Sequence, residues 1–205
     1  MLISSYNREG IGDTLIVMLN NSEQTQLKTE RRQNIARVFD ETSGETKGYN
    51  FFSVSDLFSI NEKGPVTLTE QQVAVMNKAL EEAGFSDLLT ADLSPKFVVG
   101  HVKECVPHPD SDHLSITQTE IDGGKVLQIV CGAPNIAQGQ KVVVAKVGAI
   151  MPSGMVIWDG ELRGEPSHGM ICSARELNLE QEPAKKGILV LPEATPTGEA
   201  FQVDF

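Results

Sequence analysis

Apolar residues recur along this chain in two rhythms. After Thr69 the rhythm is helical. Val73, Met76 and Leu80 stand three and four apart, Thr69 with Gln72 three positions later forms a capping box, and Gly84 marks the end. Elsewhere the apolar runs are short. Residues 14–19 predict a strand, and residues 34–39 and 49–52 flank the polar stretch E-T-S-G-E-T-K-G, with Gly44 near its middle, as a hairpin would. Beyond residue 96 the runs come closer together, predicting strands at 97–105, 114–121, 125–130, 141–147, 155–162 and 169–173. Turn residues divide them: Pro107 and Pro109, Asp122-Gly123-Gly124, Pro134-Asn135, Pro152 to Gly154, and Gly164.

The polar, proline-bearing stretch T-A-D-L-S-P-K at 90–96 separates the two patterns. Residues 1–92 therefore read as a small α+β domain, and residues 93–205 as an all-β domain, barrel or sandwich, which periodicity alone does not distinguish. A hydrophobic content of 40% in 205 residues is enough to bury a core. No run approaches the ~18 apolar residues of a membrane span. The start, M-L-I-S-S-Y-N-R-E-G, has neither the basic opening nor the apolar run of a signal peptide, so a cytoplasmic protein is expected. Cys105, Cys131 and Cys172 are odd in number and far apart, which suggests buried thiols rather than a disulfide framework or a zinc knuckle.

Charge bears on the choice of partner. Net charge is -11, and neither half is basic: residues 97–205 hold 8 basic and 14 acidic residues, residues 1–96 hold 9 and 14. Affinity for nucleic acid comes largely from Lys and Arg neutralising phosphates, so only a local cluster could attract RNA, weakly and with strong salt dependence.

Four motifs stand in order in the second half: V-P-H-P-D-S-D-H-L at 106–114, I-V-C-G-A-P-N at 129–135, G-A-I-M-P-S-G at 148–154 and L-R-G-E-P-S-H-G-M at 162–170. This set resembles the tRNA-binding OB domain of free-standing tRNA-binding proteins and of the N-terminus of the bacterial phenylalanyl-tRNA synthetase beta subunit. The resemblance covers about half of the chain and implies a five-stranded OB-fold β-barrel at 93–205. With the α+β unit before it, the whole is similar to the YtpR-type family of Gram-positive bacteria.

The L-R-G-E-P-S-H-G-M motif is the most specific. Arg163 offers a planar fork to phosphate oxygens and Ser167 a hydroxyl to phosphate or sugar. The resemblance implies that Arg163, Ser167 and Met170 face RNA. The structural alternative is that Arg163 pairs with Glu161 or Glu165 and that Met170 fills the core. In V-P-H-P-D-S-D-H-L the chain departs from its relatives, which usually carry asparagine, alanine and a base where Asp110, Ser111 and His113 stand. His113, with a reference pKa of ~6.5, is mostly neutral at cytoplasmic pH; it can hydrogen-bond or stack but steers RNA poorly. His108 and Asp112 read as architecture, with Pro107 and Pro109 stiffening the loop and Asp112 capping its amides. A second departure is Trp158-Asp159-Gly160-Glu161, where relatives commonly place lysines. Trp158 is either a stacking surface or a core or interface anchor. I-V-C-G-A-P-N reads as a strand entering a tight turn supported by Asn135. The other bases of this half are Lys103, Lys125, Lys141, Lys146, Arg175, Lys185 and Lys186.

Catalysis finds little support. Asp110, Asp112 and His113 lack ligand spacing, no nucleophile elbow or phosphate loop is present, and no histidine has the partners of a triad, so neither metal, cofactor nor enzyme activity is expected. By the resemblance, the expectation is a non-catalytic protein that recognises folded tRNA by shape and phosphate contacts, with His113, Arg163, Ser167 and Met170 as the RNA-binding residues, and with no membrane or DNA partner. The alternative is an OB-fold protein-interaction module or homodimer that has lost RNA affinity, which the acidic balance favours.

Overall fold

In the N-terminal unit, alternation along short strands turns one face of a sheet toward a helix. The computed structural model describes residues 1–22, 26–179 and 186–205 and divides into two units, Met1–Ser94 and Pro95–Phe205. The first unit contains β1 (Ile3–Tyr6), α1 (Arg8–Ile11), β2 (Thr14–Met18), β3 (Leu27–Arg32), β4 (Ile35–Asp40), β5 (Thr46–Phe52), β6 (Gly64–Pro65) and α2 (Glu70–Glu82). Its six strands form one antiparallel sheet in the order β3-β4-β5-β2-β1-β6. Leu15 and Val17 of β2 and Tyr49 and Phe51 of β5 point to one side, where Val73, Met76 and Leu80 of α2 complete the core. The cap of α2 has the reciprocal geometry its sequence predicts: Gln72 N donates to Thr69 Oγ1 at 3.2 Å and Thr69 N donates to Gln72 Oε1 at 2.9 Å. Gly84, with φ of +79°, follows the helix.

The second unit is built from β7 (Phe97–Pro107), β8 (Ser115–Glu120), β9 (Val126–Cys131), β10 (Lys141–Ala145), β11 (Gly160–Leu162), β12 (Glu165–Ser167), β13 (Met170–Ile171) and β14 (Val190–Leu191). Five strands pair antiparallel in the order β13-β10-β7-β8-β9, and β13 also approaches β9, so the sheet nearly closes on itself as an OB-type barrel. Both faces of β10 are buried. Val142 and Val144 point into the barrel with Val98, Val102 and Ile129, while Val143 and Ala145 lie beneath an outer layer of Met151, Ile157, Cys172 and Leu177. That double burial explains the unbroken apolar run of its sequence. Within the barrel the fully buried Thr117 donates from Oγ1 to Ile129 O at 2.9 Å and sits 3.0 Å from Thr119 Oγ1, so neither hydroxyl is stranded.

Two predicted strands shrink. Over 155–162 only Gly160–Leu162 is strand. The preceding residues instead close a small loop around 152–154, with Met151 N donating to Met155 O at 2.8 Å and Ile157 N to Ala149 O at 2.9 Å. The segment 169–173 is strand only over Met170–Ile171: β10 ends at Ala145 on one side, and on the other its edge is taken by β14, with Val142 paired to Val190.

Candidate nucleic-acid interface

Arg163 stands at the tip of the β11–β12 hairpin, whose register pairs Leu162 with Glu165 and leaves Arg163 and Gly164 as a two-residue turn. Both have positive φ, 50° and 84°, as a type I′ turn demands, and Gly164 is the residue that adopts this at least cost. The hairpin is clamped along β9. Val130 N donates to Ser167 Oγ at 3.1 Å, His168 N to Gln128 O at 2.9 Å, and Gln128 Nε2 to Pro166 O at 3.0 Å. Ser167 itself is 6% exposed and donates onward to Gly169 O at 3.3 Å. Gly169 has φ of +140°, and a Cβ there would lie 2.9 Å from Ala145 O, so no other residue lets the chain pass so close to β10.

The loop after β7 reaches the same place from the other side. His108 is 3% exposed, and its Nδ1 accepts from Asp110 N at 3.0 Å. The ring proton therefore resides on Nε2, which donates to Leu162 O at 3.2 Å. Arg163 Nη1 returns the connection, donating to Asp110 O at 2.9 Å. The first and last of the four motifs are thus hydrogen-bonded to each other, and exposed His113 and Arg163 fall on joined segments. His113 Nδ1 lies 2.8 Å from Asp112 Oδ1, and this contact holds the Asp112 carboxyl below its ordinary range, with smaller help from the Arg163 charge. The capping role expected of Asp112 belongs to its neighbour. Asp112 is 97% exposed on its side chain, whereas Ser111 Oγ accepts from His113 N at 3.4 Å and Leu114 N at 3.3 Å, because the shorter serine turns back under the loop.

Ser167 and Met170 lie apart from that exposed pair. With Leu162, Trp158 and Met155 they line a cleft of about 630 Å³ on the barrel wall. Met170 is half-buried, one side against the outer apolar layer and the other in the cleft. Trp158 is half-buried there too, rather than in the core. Leu162 joins the two areas, since its carbonyl accepts from His108 and its side chain borders the cleft. Asn135 does more than support its own turn: Ile188 N donates to its Oδ1 at 2.8 Å and its Nδ2 donates to Ile188 O at 3.0 Å, fixing a segment 53 residues away.

Charge around Arg163 is mostly negative. Glu161 and Glu165 flank the turn, Asp110 and Asp112 lie on the opposing loop, and Asp159 pairs with His168 at 2.9 Å. Among the described residues neither glutamate forms an ion pair with Arg163, whose guanidinium bonds to backbone instead. Lys103 is engaged by Glu120 at 3.2 Å and Lys146 by Asp122 at 3.0 Å, while Lys141 bonds to Thr197. Lys125, Arg175 and Lys186 are exposed and form no ion pair among the described residues; Lys185 lies outside them. Also among the described residues, no three of His, Cys, Asp and Glu gather to hold a metal ion, and no helix is long and apolar enough to cross a membrane.

Residues 97–200 match the family described as "Putative tRNA binding domain", and residues 22–92 match a domain of unknown function (DUF4479). The chain is 52% identical over 197 residues to "Putative tRNA-binding protein YtpR" of Bacillus subtilis (strain 168), covering 96% of this chain and 98% of that one. It is also 52% identical over 107 residues to the phenylalanine–tRNA ligase beta subunit of Nitratidesulfovibrio vulgaris, which covers 52% of this chain but 13% of the subunit. The corresponding subunit of Oceanobacillus iheyensis is 46% identical over 143 residues, 68% of this chain and 17% of that protein.

Proposed function

The chain belongs to the family described as "Putative tRNA binding domain", and from that premise we propose that it is a cytoplasmic, non-catalytic protein that grips folded tRNA by shape and phosphate contacts. The observation that carries this reading is the Arg163–Asp110 hydrogen bond of 2.9 Å, which joins the two most distinctive motifs into one rigid edge. Arg163 supplies the fork for a phosphate, and His113 adds a hydrogen-bonding ring on the loop joined to it. Ser167 acts from within by holding the hairpin on β9, and Met170 meets the RNA where the cleft opens. Scarce aromatics favour shape over serial stacking: Phe201 packs on the outer layer, Phe97 is buried against Phe205, and half-buried Trp158 and exposed Phe205 are the two rings of this unit that line its surface depressions among the described residues.

A second reading, a protein-interaction module or homodimer without RNA affinity, is favoured by the five carboxylates about Arg163. Fluorescence anisotropy of labelled bulk tRNA at several salt concentrations, with single-stranded RNA and duplex DNA as competitors, separates the two. Salt-sensitive binding at micromolar concentration or tighter that prefers tRNA is the expected result. No binding at low salt would leave the second reading standing.

A further inference from the structure

The cleft beside Met170 does not end at the motif residues. It runs into a second depression of about 730 Å³, and the two share Met155, Ser173, Glu176 and Gly187. One end of the combined groove is mostly apolar, walled by Trp158, Leu162 and Met170, with Met155 at the join. The other carries Arg175 and Lys186, both exposed and free of ion pairs among the described residues. Glu176 in the shared part is already occupied, its Oε2 accepting from Ser173 N and Ser173 Oγ at 2.7 Å each. Its charge subtracts from the local potential, and one of its two carboxylate oxygens is held by these bonds.

An apolar slot walled by half-buried Trp158, leading to two cations that form no ion pair among the described residues, has the chemistry of a nucleotide: a flat base to be covered and an anionic phosphate beside it. A protein segment would fill the apolar end equally well but gives no reason for the paired cations at the other. The geometry points to a groove that takes one or two unpaired nucleotides of the bound RNA, the base lying against Trp158, Met155 and Met170 and the phosphate meeting Arg175 and Lys186. This inference rests on the tRNA-binding reading and adds to it a site for single-stranded RNA, separate from the Arg163 edge. It also accounts for the two acids near Trp158, which repel a phosphate backbone at the apolar end and leave the basic end as the place for the phosphate.

Trp158 is the only tryptophan of the chain, so intrinsic fluorescence reports on the groove alone. The full-length protein would be titrated with a 5′-phosphorylated single-stranded RNA trinucleotide while Trp158 emission is followed, in parallel with anisotropy of labelled tRNA. Expected are saturable quenching by the trinucleotide, at least tenfold weaker in the Arg175→Ala/Lys186→Ala double variant, and a trinucleotide affinity within twofold of wild type in Lys125→Ala. Circular dichroism checks that the variants are folded. If tRNA binds by anisotropy but the trinucleotide leaves Trp158 emission unchanged up to millimolar concentration, the groove proposal falls while the tRNA reading stands. If the trinucleotide binds and tRNA does not, the groove stands and the tRNA reading falls. Trp158 emission that shifts with protein concentration in the absence of RNA, with no response to the trinucleotide, would overturn the proposal in favour of self-association.

Discussion

Arg163 and Asp110 lie 53 residues apart in sequence, yet the guanidinium of one donates to the main-chain oxygen of the other at 2.9 Å. The contact is made to backbone, so it does not depend on the aspartate side chain that replaces the asparagine usual in relatives. Two of the guanidinium's three nitrogens are left free of it, which lets one residue hold the loop and still present donors outward.

Arg163→Ala is expected to weaken tRNA binding by about 1–3 kcal/mol, the range for losing one charge-assisted contact. It should also flatten the plot of log affinity against log salt by about one unit, since one phosphate fewer is neutralised. Anisotropy titrations at four salt concentrations measure both. Unchanged affinity and slope would remove Arg163 from the interface.

His113→Lys is expected to act in the opposite direction. The ring is exposed and its Nδ1 hydrogen-bonds, among the described residues, to Asp112 and Ser111 of its own loop, so a lysine fits without disturbing the fold and returns the cation common in relatives. Tighter binding with a steeper salt slope is the expected outcome of the same titration. No gain would show that this loop faces away from the RNA.

Ser167→Ala is expected to lower stability rather than to remove an RNA contact. The change strands Val130 N, which now donates to the buried hydroxyl at 3.1 Å, at a cost of about 1–3 kcal/mol. Urea unfolding of wild type and variant measures it. A loss of tRNA affinity with unchanged stability would instead put the hydroxyl on the RNA.

That serine also marks what a sequence hides. Helix α2 was legible because cap, apolar spacing and terminal glycine all lie within sixteen residues of one another, and the resemblance carried the barrel. Strand β3, L-K-T-E-R-R, was not legible: its side chains are mostly exposed and it is held by pairing with β4, so no apolar alternation announces it. The site divides in the same way. Arg163 could be named from its chemistry, but nothing local shows that Ser167 turns inward, that His108 bonds to Leu162 O, or that Arg175 and Lys186 meet the cleft of Trp158. Each depends on partners 17 to 54 residues away being brought alongside by the barrel.

The cysteines test the barrel without RNA. Burial pushes the Cys172 thiol up to about 12 and raises that of Cys131, so both stay protonated and inert at neutral pH in the folded chain. Cys105 is half-buried. At pH 8, iodoacetamide followed by mass spectrometry should modify Cys105 first and reach the other two only when urea unfolds the domain. The sign of the pH effect follows. A thiol that titrates near ~8.5 in the unfolded chain and about 12 in the folded one contributes stability below the lower value and loses it as pH rises toward the upper. The urea midpoint should therefore decline between pH 8.5 and pH 11, and decline less in Cys172→Ala. Early modification of Cys172 at pH 8 without denaturant would mean that the outer layer over β10 opens readily, and would contradict the packing described for it.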